Sequence, residues 1–476
     1  MTAVEDVQPV DAEETAGAPT DGRREWWYRW RIELGLVALT AVIAGTFIGI
    51  GAGLYMDDWG ELRNVEFGGF WAAAGTDQWK ARPVCALLYS LLLGGVGPHP
   101  VAFVIILAII NAGCAILFYR LLREFFSLWF SAVAAALWLI LPNHTTWEVW
   151  ASTTNIAVSQ LMILGATLLL IRRRPSILAL VLAGLGYVVA VFSYEAAVPA
   201  SVFALVVIPI VKWRKIDWRL LFIAGGATLA ATIWAATHIH PLKLVSKTPV
   251  DISPFLSANL GWGVAGFGPL LPFVFMAGLS ILGVAAMRVL HPRLRPHAGE
   301  EAYAVLMGLI ILPVGAVGFL FYSYEPIGGG DREIYVSAFG AAMIWAGGAA
   351  MLRRQKVVAG WVAVALMAAV MVPVHWDRYH IWHDAGLDAV STGQAIAAFA
   401  NGRNGPIIVG PGTVTFQNFA AFENYGNIEA AAQYYAHNPD LVVRLERDPV
   451  KFAQLPADQR FDICRGTLIC ARREGG

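Results

Sequence analysis

Charged residues are scarce in this chain: they make up 14% of its 476 residues, whereas apolar residues make up 57%. Soluble globular domains carry about 25% charged residues, so this composition excludes a soluble class. The sequence also lacks a basic, aromatic-interleaved patch, which argues against a nucleic-acid partner. Composition therefore predicts a polytopic membrane protein.

Cysteine is rare as well, and the four cysteines do not have the spacing of a metal site. Cys464 and Cys470 would close a small disulfide loop if that end of the chain lies outside the cell, and unpaired thiols fit the sequence equally well. His238 and His240, with Asp251 nearby, are a weak metal signal because zinc needs further ligands. Their position after an apolar run favours an interfacial role.

Nucleotide-binding glycine motifs are absent too. Gly328, Gly329 and Gly330 neither follow a strand nor open a glycine-spaced helix, so they predict a hinge. No nucleotide-sugar motif appears elsewhere in the sequence, which favours a lipid-linked donor over a nucleotide-linked one. The first 22 residues lack the basic region and cleavage site of a signal peptide. Their polar, acid-rich composition predicts a disordered tail.

Apolar runs of transmembrane length are what the sequence has in abundance. The short, glycine-rich segment 83–97 is followed by Pro98 and Pro100, which predicts a re-entrant or interfacial helix. Segment 254–267 is ambiguous. Eleven runs predict spans near 34–55, 101–120, 126–142, 153–171, 176–192, 197–212, 219–238, 268–288, 302–322, 335–352 and 357–374.

Basic residues concentrate in alternate loops, beginning with Arg23, Arg24, Arg29 and Arg31 before the first run. The positive-inside rule therefore predicts a multi-pass protein of the plasma (inner) membrane with a cytoplasmic N-terminus. An odd number of spans places the C-terminus on the extracytoplasmic side. There, Trp376, Tyr379 and Trp382 predict an interfacial anchor, 406–411 a strand and 427–437 a helix.

Acidic residues fall mainly on the external side, and the first two stand together. Asp57 and Asp58 directly follow the first apolar run, where a carboxylate pair is costly to desolvate and suggests a functional site. Further external motifs are Lys80-Ala81-Arg82-Pro83, Pro142-Asn143-His144 with Glu148, Ser193-Tyr194-Glu195 and Asp331-Arg332-Glu333-Ile334-Tyr335.

In this order the motifs resemble the GT-C superfamily of membrane glycosyltransferases, whose first external loop carries an acidic pair. The likeness is greatest to the branch of tetratricopeptide-linked O-mannosyltransferases and, in part, O-antigen glucosyltransferases. Arg82-Pro83 matches an Arg-Pro, His144 and Glu148 match a Pro-His segment with a following Glu, and Asp331-Arg332 with Tyr335 matches an acidic-Arg-Tyr. Tyr194 stands where that branch has lysine, and the tetratricopeptide helices are absent.

The resemblance implies a GT-C-like bundle of about 11 transmembrane helices. The polar first residues and the change of composition from His375 on divide the chain into a cytoplasmic tail over 1–30, a transmembrane domain over 31–375, which the resemblance makes catalytic, and a small extracytoplasmic α/β domain over 376–476. The resemblance also implies inverting transfer of a sugar from a polyprenyl-phosphate donor, held in the membrane, to a glycan, lipid or protein acceptor of the cell envelope. A divalent metal as cofactor stays open.

The chemistry of such a transfer assigns roles to the motifs. A carboxylate must take the proton of the acceptor hydroxyl, which Asp57 or Asp58 can do. Cations must neutralise the leaving phosphate. The residues expected to bind the donor phosphate are Arg82, Arg332 and Lys80, and those expected to bind substrate are His144, Glu148, Glu195 and Tyr335.

Two alternatives share the membrane and the lipid-linked substrate. A transporter or flippase of lipid-linked sugars would carry ionisable residues near the middle of the membrane and an internal repeat of broken spans. The sequence shows neither. An O-antigen polymerase or ligase would place its large external loop late, between spans, whereas here the acidic loop is early.

Overall fold

The computed structural model describes residues 22–69, 71, 82–142, 145–171, 176–194, 197–213, 221–238, 271–291, 293–294, 299–316, 336–403, 405–410, 415–416, 419–420, 425–446 and 448–461. Most of them are helical. The helices are α1 (Gly22–Ile50), α2 (Asp57–Gly68), α3 (Pro83–Val96), α4 (Pro100–Arg123), α5 (Leu128–Ile140), α6 (Thr146–Val149), α7 (Thr154–Leu170), α8 (Ile177–Ser193), α9 (Ala197–Trp213), α10 (Gly226–His238), α11 (Leu271–Leu290), α12 (Gly299–Ala316), α13 (Ser337–Gln355), α14 (Val357–Ala400), α15 (Tyr425–Ala436) and α16 (Pro449–Gln454). A 3-10 turn covers Ala151–Thr153, and a π-helical turn covers Leu221–Gly225.

Apolar helices dominate the described part of the first 375 residues. Among the residues that the structure describes, four helices are long and apolar enough to cross a membrane: Trp30–Ile50, Pro100–Arg123, Ala151–Leu170 and Val357–Ala400. Shorter apolar helices, α3 among them, fill much of the remainder. The chain is an integral membrane protein. Each of the eleven predicted spans overlaps a helix of the described part, although the total number of crossings stays a prediction, and segment 254–267 lies outside that part.

The helices pack around an apolar core, and small residues allow some of them to cross at short distance. α12 and α13 are in extensive contact, as are α7 and α8. At the crossing of α12 and α13, a Cβ added to Gly340 would lie 2.5 Å from the carbonyl oxygen of Gly308. Only glycine fits there, as expected of helices that associate through close backbone packing in lipid.

The first span is shorter than predicted. The predicted run extends to residue 55, but α1 ends at Ile50. Gly51 has a φ of 124°, a conformation that side-chain-bearing residues rarely adopt, and its carbonyl accepts a hydrogen bond from His383 Nδ1 at 2.8 Å. The glycines at 49, 51 and 53 were the sequence signal for this early end.

The last apolar helix is longer than predicted, since α14 runs without a break from Val357 to Ala400. The expected domain boundary at 376 falls within it. Beyond α14, a parallel sheet has the strand order β4-β1-β5, formed by Val443–Leu445, Ile407–Val409 and Arg460–Phe461. A two-stranded antiparallel pair, β2 and β3, joins Thr415–Phe416 to Phe419–Ala420.

A second apolar core connects this C-terminal sheet and α15 to the helices that surround the acidic pair. It includes Trp59 of α2, Cys85 of α3, Trp150, and Trp382 of α14. α15 packs on both α14 and α2. The C-terminal unit thus covers the helix that begins with the two aspartates.

Candidate functional site

Asp58 lies at the centre of a buried hydrogen-bond cluster. Its side chain is 0% exposed. Oδ2 accepts from the backbone N–H of Tyr55 at 3.0 Å, and Oδ1 accepts from the backbone N–H of Ser152 at 2.9 Å and from the Ser152 hydroxyl. Burial raises the pKa of Asp58 to about 7, against these hydrogen bonds, which lower it. Asp58 therefore joins the start of α2 to the 3-10 turn.

Asp57, its neighbour, has a different position. It is half-buried in the first turn of α2, and its Oδ1 accepts a hydrogen bond from Asn427 Nδ2 of α15 at 3.3 Å. A helix N-terminus favours a negative charge because its first N–H groups are unpaired within the helix. Asp57 is thus the carboxylate of the pair that a ligand could reach.

A third carboxylate, Glu61, lies one turn further along α2. Burial raises its pKa to about 7, and the charge of Asp57 adds to this rise. Arg63 lowers it, and the Arg63 guanidinium also donates to Gln433 of α15 at 3.3 Å. The acidic face of α2 therefore holds three carboxylates within two turns, of which Asp58 and Glu61 are buried.

Arg82 precedes α3, which packs against α2. Its guanidinium carbon lies 5.1 Å from the ring centroid of Tyr194, at the end of α8. Tyr89, two turns into α3, donates to the carbonyl of Ser152 at 2.6 Å. The start of α3 thus brings a cation next to Tyr194, and α3 also contacts the segment that holds Asp58.

Glu148 belongs to α6, and its buried side chain contacts α14. Its Oε2 lies 2.6 Å from His375 Nε2 and accepts from the Tyr379 hydroxyl at 2.5 Å. Glu148 and Tyr379 also line a narrow pocket between α1, α4 and α14, together with Asn111, whose Nδ2 donates to the carbonyl of Trp147 at 3.2 Å. Glu148 therefore connects α14 to the segment that carries Ser152, four residues later.

The other predicted site residues are not in the described part of the chain. Lys80, His144, Glu195, Arg332 and Tyr335 all fall outside it. Of the nine predicted residues, the structure gives positions for Asp57, Asp58, Arg82 and Glu148.

Sequence reasoning missed Ser152, His375 and Tyr379. Of the three aromatic residues predicted to form an interfacial anchor, Trp376 is 51% exposed, whereas Tyr379 is 2% and Trp382 0% exposed, so the latter two are packed inside the protein. Helical periodicity places residues 375, 379 and 382 on one side of α14, whereas 376 is turned away. The spacing of His375 and Tyr379 was a signal for this buried face.

Arg378 is a further buried charge that the sequence reasoning missed. It is 4% exposed, and its Nη1 donates to the carbonyl of Pro142. Pro142 begins the predicted Pro-Asn-His motif, so α14 contacts that motif directly. As for metals, the described residues contain no group of three His, Cys, Asp or Glu side chains arranged to hold an ion.

No protein-family model and no curated protein sequence matches this chain. Among solved structures, it is similar to ArnT from Cupriavidus metallidurans bound to undecaprenyl phosphate, with a TM-score of 0.47 and 16% identity over 90% of this chain and 89% of that chain. It is also similar to the Archaeoglobus fulgidus oligosaccharyltransferase in its apo form, with a TM-score of 0.47 and 12% identity over 87% of this chain and 65% of that chain. The archaeal oligosaccharyltransferase AglB, in complex with an inhibitory peptide and a dolichol-phosphate, gives a TM-score of 0.46, 12% identity and the same coverage. Each of these matches lies below 25% identity and below a TM-score of 0.5, so the functional proposal rests on the chain's own residues.

Proposed function

We propose that the chain is a membrane glycosyltransferase that moves a sugar from a polyprenyl-phosphate donor to an acceptor hydroxyl, with Asp57 as the general base. The observation that carries this proposal is the unequal setting of the two aspartates. Asp58 is fully buried and accepts three hydrogen bonds, whereas Asp57 is half-buried at the start of α2. Hydrogen bonds hold Asp58 in the interior, and the adjacent Asp57 is left accessible to an acceptor.

In the proposed reaction, Asp57 accepts the proton of the acceptor hydroxyl as its oxygen attacks the anomeric carbon of the donor sugar. The bond between that carbon and the phosphate oxygen breaks, and the polyprenyl phosphate leaves with the bonding electrons. Attack from the face opposite the phosphate inverts the anomeric centre. Negative charge moves from the carboxylate to the departing phosphate.

Arg82 supports the second half of this step. A guanidinium binds two phosphate oxygens through parallel N–H donors, and this interaction becomes stronger as negative charge builds on the oxygens. Arg82 lies at the N-terminus of α3, whose first N–H groups also favour an anion. We propose Lys80 and Arg332 as further phosphate contacts, and His144, Glu195 and Tyr335 as contacts to the sugars.

Glu148 takes a different role in this proposal from the substrate contact that its motif predicts. Its Oε2 is already engaged by two buried side chains of α14. Through these contacts Glu148 anchors the segment over 145–153 to α14, and Ser152 of this segment donates two hydrogen bonds to Asp58. We therefore propose that Glu148 is a positioning residue, one step removed from the reacting atoms.

The proposal is tested with the purified full chain in detergent micelles. Polyprenyl-phosphate hexoses and pentoses are supplied as donors with cell-envelope extracts as acceptors, and release of polyprenyl phosphate is measured. We expect release with at least one donor and its loss in Asp57→Asn, whereas the exposed control Asp440→Asn keeps wild-type rates. Movement of an intact lipid-linked sugar across vesicles, with no donor cleaved, would instead indicate a transporter.

A further inference from the structure

A wide polar cleft opens on the C-terminal unit, between the end of α14 and the end of α15. The space within the cleft, including the part that is open to solvent, has a volume of about 1230 Å³. The polar side chains that line it are Gln394, Asn401, Arg403, Tyr435 and Asn438. Most of the remaining lining consists of alanine and glycine, so the cleft has a polar wall without bulky aliphatic side chains.

The chemistry of this lining favours a glycan. Each carboxamide offers two N–H donors and a carbonyl acceptor, which matches sugar hydroxyls that both donate and accept. The Tyr435 ring offers an apolar face with a polar tip. A protein partner would be held by aromatic or aliphatic anchors in desolvated pockets, and Leu441, the largest aliphatic residue of the lining, is itself buried.

The cleft is rigidly built. Arg403 is held in place because its Nη1 donates to the carbonyl of Asp458 at 2.8 Å and its guanidinium carbon lies 3.7 Å from the ring centroid of Phe399. α14 and α15 pack closely here, since a Cβ on Gly393 would lie 3.0 Å from the Tyr435 ring. A preformed site of this kind loses little conformational entropy when a ligand binds.

Helix α15 leads from the cleft to the proposed base. The Tyr435 ring, which lines the cleft, lies 5.5 Å between centroids from Trp59 of α2. At the other end of α15, Asn427 donates to Asp57. Asn427 and Tyr435 are eight positions apart within α15, which corresponds to about 12 Å at the helical rise of 1.5 Å per residue. An acceptor that reaches both places must therefore be an extended chain.

We infer that this cleft is an acceptor subsite that binds an oligosaccharide or longer glycan, whose terminal sugar then lies at Asp57. The inference rests on the proposed glycosyl transfer and narrows its acceptor from a glycan, lipid or protein to a glycan. It adds no covalent step, because the cleft only binds. It also predicts that acceptors of several sugars are used better than single sugars.

Binding is measured without any donor, so that it does not depend on catalysis. The fluorescently labelled full chain in detergent is applied to an array of bacterial envelope oligosaccharides of two to eight sugars and to a matched array of peptides. We expect retention on glycans, increasing with length. Retention on peptides alone, or on neither array, would overturn the inference.

Variants then locate the site. Gln394→Ala and Asn401→Ala each remove carboxamide hydrogen bonds from an exposed position, and we expect about a two- to tenfold loss of glycan affinity for each. Gln454→Ala is the matched control, an exposed carboxamide of α16 outside the cleft. Equal affinity of all three variants and the wild type would contradict a site in this cleft, provided that their melting temperatures agree.

The outcome is separable from that of the proposed function. Asp57→Asn should bind the arrayed glycans as well as the wild type does while losing transfer. If glycans bind but no donor is ever cleaved, the proposed function fails and the binding site stands. If donors are cleaved and the KM for a glycan acceptor is unchanged in Gln394→Ala and Asn401→Ala, the subsite fails and the transferase stands.

Discussion

Replacing Asp58 by asparagine tests whether the buried member of the pair is held as the structure shows. Asparagine has the same shape, and its single carbonyl oxygen can still accept from the backbone N–H and hydroxyl of Ser152. Its NH₂ group would then face the backbone N–H of Tyr55, which now donates to Asp58 Oδ2. Two donors cannot bond each other, so this N–H loses its acceptor.

The difference in stability between Asp58→Asn and the wild type depends on pH. A buried donor left without a partner costs about 1–3 kcal/mol, and this sets the deficit of the variant at low pH. In the wild type, burial raises the pKa of Asp58 from 3.8 to about 7, which corresponds to about 4 kcal/mol. The folded chain therefore binds more protons than the unfolded chain between about pH 4 and pH 7, and rising pH favours unfolding of the wild type.

The variant has no such titration, so the difference between the two proteins changes with pH. We expect Asp58→Asn to be less stable than the wild type near pH 4.5, and equal or more stable above pH 7. The measurement is the melting temperature of both proteins in the same detergent, at one scan rate, in steps from pH 4.5 to pH 8. Asp440→Asn, an exposed aspartate, serves as the control and should follow the wild type at every pH.

A difference between Asp58→Asn and the wild type that stays constant over this range would refute the reasoning, because it would mean that Asp58 titrates near its ordinary pKa and is not desolvated. A variant as stable as the wild type at pH 4.5 would refute the assigned hydrogen bond from Tyr55.

Three further variants test neighbouring contacts, each by thermal unfolding. Ser152→Ala removes the hydroxyl that lowers the pKa of Asp58. The fall of stability with rising pH should therefore end at a higher pH in this variant than in the wild type; the same profile in both proteins would exclude this contact. Gly386→Ala places a Cβ 3.0 Å from the Cα of Gly53, and we expect the free energy of unfolding to fall by about 1–3 kcal/mol from overpacking, whereas Gly283→Ala in α11, with open space around it, should not lose stability. Tyr379→Phe removes a hydrogen bond to a buried carboxylate, worth about 1.5–3 kcal/mol; an unaltered melting temperature would contradict its role as an anchor.

The helical, membrane-embedded character of the chain was predictable because it depends on local composition and on the length of each apolar run. The acidic pair was also predictable from local sequence, because two adjacent carboxylates at the end of an apolar run can be recognised without knowing which residues they contact. The early end of α1 was not predicted from hydropathy, because Gly51 is apolar by composition and its effect comes from a φ of 124°.

The contacts that distinguish the two aspartates could not be predicted in this way. Ser152 meets Asp58 across 94 positions of sequence, and Tyr379 meets Glu148 across 231. Such pairings depend on how helices pack, and a single sequence carries no local pattern for them. The 3.6-residue period of α14 did place the relevant side chains on one face, but their burial depends on the helices that cover that face.

The most direct test of the central claim compares Asp57→Asn with Asp58→Asn in single-turnover sugar transfer, with enzyme in excess over one radiolabelled polyprenyl-phosphate donor. If Asp57 is the general base, its replacement lowers the rate about 100- to 10,000-fold at an unchanged melting temperature, and Asp58→Asn loses less. A rate that survives in Asp57→Asn and is abolished in a folded Asp58→Asn would contradict the account.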